Sequence, residues 1–172
     1  MNGFLLLIPF LLIRFGLLNL LNKDGLKRAA FFAPLIGTEK IAYWFYQISS
    51  VLFFIYLFFL KVTAESYWFY AGLATYALGI LLCLASVSNF ANPAENGINL
   101  KGLYRFSRNP MYMAYFICFL GCVLLTQSLL LFIILLIFQI SAHWIILSEE
   151  RWCIKEFGED YKSYMNKVRR YI

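Results

Sequence analysis

The chain has 172 residues, of which 62% are hydrophobic, 20% aromatic and only 14% charged, with a mean hydropathy of +0.72. That profile excludes an ordinary water-soluble domain of this length and indicates an integral membrane protein without a separate soluble domain. The net charge of +6 comes from 15 basic and 9 acidic residues; in so apolar a chain it marks the cytoplasmic side of a membrane protein, and no nucleic-acid partner is expected.

The first apolar run, about 3 to 21, lacks the basic leader and small-residue cleavage site of a secretory signal, so it is expected to remain as a first span. Arg14 lies inside it, about seven residues or roughly 10 Å from its end. Snorkelling to the interface is the simpler reading of that charge, and a partner within the bundle is the sharper one. Four more runs follow, at about 41 to 60, 67 to 88, 111 to 125 and 128 to 147, to be compared with the roughly 20 apolar residues a span needs. The fourth run is short, and a tight hairpin through "TQS" (126–128) would let it cross beside the fifth. The tetrapeptide "YWFY" at 43–46 and again at 67–70 suits aromatic belts at headgroup level better than an internal duplication, because its flanks do not repeat.

Lysine and arginine gather in loop 22–40, in loop 89–110 and after residue 147, whereas the opposite side carries only Lys61. With five spans the positive-inside rule puts the N-terminus outside and all three basic segments, including the C-terminus, in the cytoplasm. The expected fold is therefore an all-α integral membrane bundle of five transmembrane helices with a C-terminal cytoplasmic helix, built as a single domain over 1–172.

Loop 89–110, "NFANPAENGINLKGLYRFSRNP", is rich in Asn, Gly and Pro and should be irregular backbone; its length suggests function. The tail 148–172 opens with Glu149 and Glu150 and closes with Lys167, Arg169 and Arg170, the charge order a helix dipole favours. Ile154, Phe157, Tyr161, Tyr164 and Val168 give it one apolar face, to rest on the membrane or on the protein's own cytoplasmic side, and Gly158 leaves a kink open. Cys83, Cys118, Cys122 and Cys153 fall in or beside apolar runs with no metal-ligand spacing to His143, so they read as packing residues and no metal is expected.

On a helix Gln139, His143 and Glu150 project within about 40 degrees of one another, a polar stripe leading to the two glutamates. His143 could be bonded to a neighbouring segment or take part in chemistry. Glu149 and Glu150 leave the membrane on the same side as Arg105 and Arg108. Those residue types allow a salt bridge that staples loop to tail, or a polar site in which arginine holds a carboxylate and glutamate holds an ammonium or sugar hydroxyls.

The segments "GLYRFSRNPMY" (102–112) and "EERWCIKEFGEDYKSYMNKVRRYI" (149–172), in order and separated by a hairpin, resemble the integral membrane methyltransferases that include isoprenylcysteine carboxyl methyltransferase and the phospholipid N-methyltransferases. The resemblance covers about 97–172 and implies a cofactor-binding core there. It implies that Gly102, Tyr104, Arg108, Asn109, Pro110, Tyr112, Glu149 and Glu150 build a cytoplasmic pocket for S-adenosylmethionine, with Arg108 and Glu150 as the catalytic pair. Arg108 would suit the methionyl carboxylate, and Glu149 or Glu150 the ammonium or ribose hydroxyls; Phe157, Gly158, Tyr161 and Tyr164 would shape the closing tail. Asn109 stands where many members have histidine, which points to positioning rather than acid-base work. Ala114 stands in place of a common glycine and Arg169 in place of the proline of the closing motif. The implied activity is methyl transfer to a lipid or lipidated acceptor, a prenylcysteine carboxylate or a phospholipid amine, in a bacterial inner membrane or the endoplasmic reticulum. A carboxylate acceptor needs no base; an amine needs one, with Glu150 or a tyrosine as the candidate. Two other readings compete: an NADPH-dependent membrane reductase of related fold, and a non-enzymatic membrane subunit or transporter.

Overall fold

The computed structural model describes residues 1–94 and 97–171; residues 95 and 96 of the amide-rich loop and 172 of the tail lie outside the described residues. The chain is helical, and no strand forms among the described residues. Its helices are α1 (Gly3–Leu21), α2 (Lys23–Ala30), α3 (Glu39–Phe59), α4 (Tyr67–Ala91), α5 (Pro110–Thr126) and α6 (Leu129–Lys167). Four of these, α1, α3, α4 and α6, are long and apolar enough to cross a membrane, and α5 is shorter at 17 residues. Leu12, Leu20, Phe59 and Leu81 are each more than 60% exposed along the long helices, an outward surface suited to lipid rather than water.

Helix α5 packs in the interior of the bundle, bounded by Pro110 at its start and by the left-handed Gln127 after its end. Ala114, Tyr115, Cys118, Phe119, Cys122 and Leu125 are buried on several of its faces, packed with Phe10 of α1, Phe53 of α3 and Leu135 of α6. Gly121 lies against the Tyr76 backbone and Gly79 of α4 against the Cys118 backbone, so the two helices interlock where neither has a side chain. All four cysteines are free thiols.

One end of the bundle is tied by Gly3 N–H to Leu60 O at 2.8 Å, Val62 N–H to Met1 O at 2.9 Å and Thr63 N–H to Leu125 O at 2.9 Å. At the other end the Asn22 side chain caps α2 through Gly25 N–H and donates to Ala91 O at 2.9 Å. Arg151 holds both oxygens of Glu39 at 2.7 Å and also reaches Pro34 O. The expected loop 22–40 thus contains a helix. Its signals are local ones, an asparagine cap, Asp24 in the first turn and Lys27 and Arg28 in the last.

The expected hairpin turn is present: Gln127 takes a left-handed conformation and Ser128 caps α6 through Leu131 N–H. Helix α6 runs past its apolar part, which ends near Leu147, and continues to Lys167 with a break at Gly158 (φ 56°, ψ −128°). Only glycine adopts that backbone without strain. The break turns the tail back onto the protein, where Tyr161 and Tyr164 pack with Ile98 and the partly buried Ile154, Phe157 and Val168.

Candidate functional site

The 102–112 segment and the tail meet through one buried carboxylate. Glu150 is 4% exposed, and its Oε1 accepts from Arg108 Nε at 3.0 Å and Nη2 at 2.8 Å. Its Oε2 accepts from Arg170 Nε at 3.0 Å and Nη2 at 2.8 Å. Arg108 Nη1 donates to the carbonyls of Met165 and Val168, both at 3.0 Å. Paired, fork-like bonds of this kind fix geometry as well as charge. Around them Arg108 N–H donates to Arg169 O, and Ser107 Oγ and Asn109 Nδ2 donate to Arg170 O. Tyr164 OH reaches Tyr104 O at 2.7 Å, and Tyr171 OH lies 2.6 Å from His143 Nδ1. His143 is therefore bonded to the tail. The tail is laced down despite Arg169 standing at the proline position.

Beneath this closure lies a cavity of about 480 Å³, within the range of small-molecule sites. Its walls have two characters. Asn99, Arg108, Asn109 and Glu150 supply polar groups to it, and Tyr46, Met111, Tyr104, Tyr112, Tyr115 and Trp152 supply aromatic and apolar surface. Glu149 and Arg14 also line it.

Glu149 differs from its neighbour. Tyr112 OH donates to its Oε1 at 2.8 Å and is its one hydrogen-bond partner among the described residues. Removal from water pushes its carboxyl up to about 7, against the opposing pull of the Tyr112 hydrogen bond and the Arg14 charge. Burial likewise raises the Tyr104 and Tyr164 hydroxyls above the usual tyrosine range, so both are neutral donors at neutral pH. Asn99 Oδ1 is buried with no hydrogen-bond partner among the described residues.

Of the eight residues expected to bind a cofactor, Tyr104, Arg108, Asn109, Tyr112, Glu149 and Glu150 line this cavity together. Gly102 and Pro110 do not, and they shape its wall. Gly102 has φ 58° and leaves no room for a Cβ against the Asn89 side chain, which accepts from Leu103 N–H at 2.9 Å. Pro110 opens α5 at the first helical position, where its missing N–H costs nothing. Arg108 and Glu150 satisfy each other, the stapling arrangement their residue types allowed. Sequence reasoning missed the walls from the first half of the chain: Arg14, Arg28, Phe31, Phe32 and Tyr46. Lys27 and Arg28 had been read for orientation alone, and Tyr46 as belt. Arg14 was the one signal available, as a charge inside a span.

Fold and cavity together define a membrane-embedded helical protein whose interior site opens among polar loop residues at one end. The chain belongs to the phospholipid methyltransferase family, whose family model matches residues 67–160, from α4 through the amide-rich loop and α5 into α6. Arg108, Tyr112, Glu149 and Glu150 all fall inside the match. No curated protein and no solved structure matches the chain.

Proposed function

We propose that the protein is an S-adenosylmethionine-dependent methyltransferase acting on a lipid or lipidated acceptor at the cytoplasmic face of its membrane, a bacterial inner membrane or the endoplasmic reticulum. In this reading α5 is a fifth span, the N-terminus is outside and the C-terminus cytoplasmic. The bond between Thr63 and Leu125 supports the span count, since it ties the far end of α5 to the end shared by Met1 and Leu60. The basic residues clustered at the opposite end support the orientation.

One observation carries the reading: a single cavity joins polar groups from the loop and tail to aromatic and apolar groups from the helices, the two kinds of surface needed by a charged donor and a lipid acceptor. The residues fit such a donor. Asn99 Oδ1, without a partner among the described residues, is an acceptor for an ammonium or amino group, and the rings of Tyr46, Tyr112, Tyr115 and Trp152 favour a sulfonium charge. The bound donor would supply an activated methyl group. The chain's own task is to hold donor and nucleophile in line, an effect worth roughly 7–11 kcal/mol in favourable cases.

We assign the roles to match the geometry. Tyr104, Asn109 and Tyr112 line the donor's space. Arg108 and Glu150, with Gly102 and Pro110, hold that space in shape by fixing the tail. Family membership favours a phospholipid amine over a prenylcysteine carboxylate, and an amine must lose a proton. Glu150 is a poor acceptor for it, with a guanidinium on each oxygen. Glu149, whose carboxyl is raised to about 7, is matched to the task near neutral pH.

The test is incubation of purified protein with methyl-labelled S-adenosylmethionine and a panel of phosphatidylethanolamine, prenylcysteine and total lipid extract. Label in a lipid fraction supports the reading and names the acceptor. Tighter binding of NADPH than of S-adenosylmethionine, with no label transferred, would replace it by the reductase reading.

A further inference from the structure

Beyond the pull of its charge on Glu149, Arg14 has no role in the scheme above, yet its surroundings are unusual. It lies on α1 within a stretch, Leu12–Leu17, wound more widely than an α-helix, a geometry frequent at functional sites. Its Nη2 donates to Ala29 O at 2.6 Å and its guanidinium sits 5.8 Å from the centre of the Tyr115 ring. Its Nη1 is buried with no acceptor among the described residues. Among the described residues no carboxylate forms an ion pair with it. The other cations around the cavity are occupied: Arg108 by Glu150 and two carbonyls, Arg28 by the Phe90 carbonyl and ring, and Lys27 by Asp24. A charge inside a span is costly unless something answers it, and such residues mark substrate sites.

Position indicates what answers it. Arg14, Tyr46 and Tyr115 reach the cavity from the long apolar helices and α5, whereas Asn99, Tyr104 and Asn109 come from loop 89–110. On the methyltransferase reading, a soluble donor meets the loop residues and a lipid meets the helix residues. We propose that Arg14 is the anchor for an oxyanion on the acceptor's headgroup, a phosphate or a carboxylate, held by the free Nη1 on the membrane side of the cavity. Nη2 stays on Ala29 O and keeps the guanidinium plane fixed, so the residue selects acceptors by charge and sets their depth. This inference rests on the methyltransferase reading for the identity of the bound lipid as an acceptor.

The experiment is native mass spectrometry of the purified full chain with three short-chain probes, dihexanoyl phosphatidylethanolamine, farnesylcysteine and dihexanoylglycerol, alongside calorimetric titration with S-adenosylmethionine. Wild-type protein should retain at least one charged probe about tenfold better than the neutral glyceride, the scale of one charged hydrogen bond. Which charged probe is retained tells phosphate from carboxylate. Arg14→Gln should erase that preference and Arg14→Lys should keep part of it, while both bind S-adenosylmethionine within about twofold of wild type, since a lipid anchor does not touch the donor. Equal retention of all three probes by wild type overturns the proposal without recourse to any variant. So does a charged-probe preference that survives in both variants, or a loss of S-adenosylmethionine binding in place of lipid binding. If the Arg14-dependent preference is present but wild type takes no S-adenosylmethionine, the anchor stands and the methyltransferase reading fails.

Discussion

Replacing Glu150 with alanine is the sharpest perturbation of the closed tail. The carboxylate is 4% exposed, and the side chain of Arg108 bonded to it is 7% exposed. Removing the anion leaves a buried guanidinium with its Nε and Nη2 donors facing no acceptor, which costs about 3–5 kcal/mol. Arg170→Ala removes the second arm of the same site, but that side chain is 32% exposed. Water can reach what it leaves behind, and its loss should cost only about 1 kcal/mol. The damage should be local, because Arg108 and its neighbours bond to Met165, Val168, Arg169 and Arg170. Hydrogen exchange followed by mass spectrometry on residues 159–171 reads this directly. Glu150→Ala should speed exchange there by about a hundredfold or more, at about 1.4 kcal/mol per tenfold, and Arg170→Ala by about tenfold or less. Equal effects of the two variants, or an unchanged tail in Glu150→Ala, would refute the claim that one buried carboxylate holds the closure.

With phosphatidylethanolamine as acceptor, the rate should rise with pH up to about 7, where Glu149 ionises and can take a proton, and level off above it. Glu149→Gln should flatten that profile; an unaltered profile would remove Glu149 from proton transfer. Gly158→Ala should cost about 1–3 kcal/mol of tail docking, read as faster exchange after residue 158 with the spans unaffected, whereas wild-type exchange would mean the break is not needed. Gly121→Ala pushes a methyl group into the Tyr76 backbone and should lower stability in detergent by about 1–3 kcal/mol. Gly16→Ala, which meets open space, should stay within about 0.5 kcal/mol of wild type, and equal melting of the two would argue against the α4–α5 interlock.

The spans were legible because bilayer length and apolar composition act locally. The observed α1 matches the expected 3 to 21, and α3, α4, α5 and α6 start within two residues of their expected positions. Helix α2 is hidden in the sequence because it is short and half of its eight residues are charged, which draws the reading to orientation, although the capping asparagine and end charges are present. The meeting of 102–112 with 149–172 was suggested by residue types and family pattern, but the division of labour was not. Two adjacent glutamates look equivalent in sequence. Only their surroundings separate Glu150, sealed between two arginines, from Glu149, which has Tyr112 alone. Walls supplied by α1, α2 and α3 were illegible because they arise from packing between segments more than 60 residues apart, such as Arg28 with Phe90.

The central claim is that donor and lipid share one cavity, and the most direct measurement is a structure of the protein soaked with S-adenosylhomocysteine. The account expects the nucleoside and amino-acid groups beside Asn99, Tyr104, Asn109 and Tyr112, with the sulfur directed toward Glu149 and the tail closed. Density elsewhere on the molecule, or a cavity filled by lipid alone at saturating ligand, would contradict it.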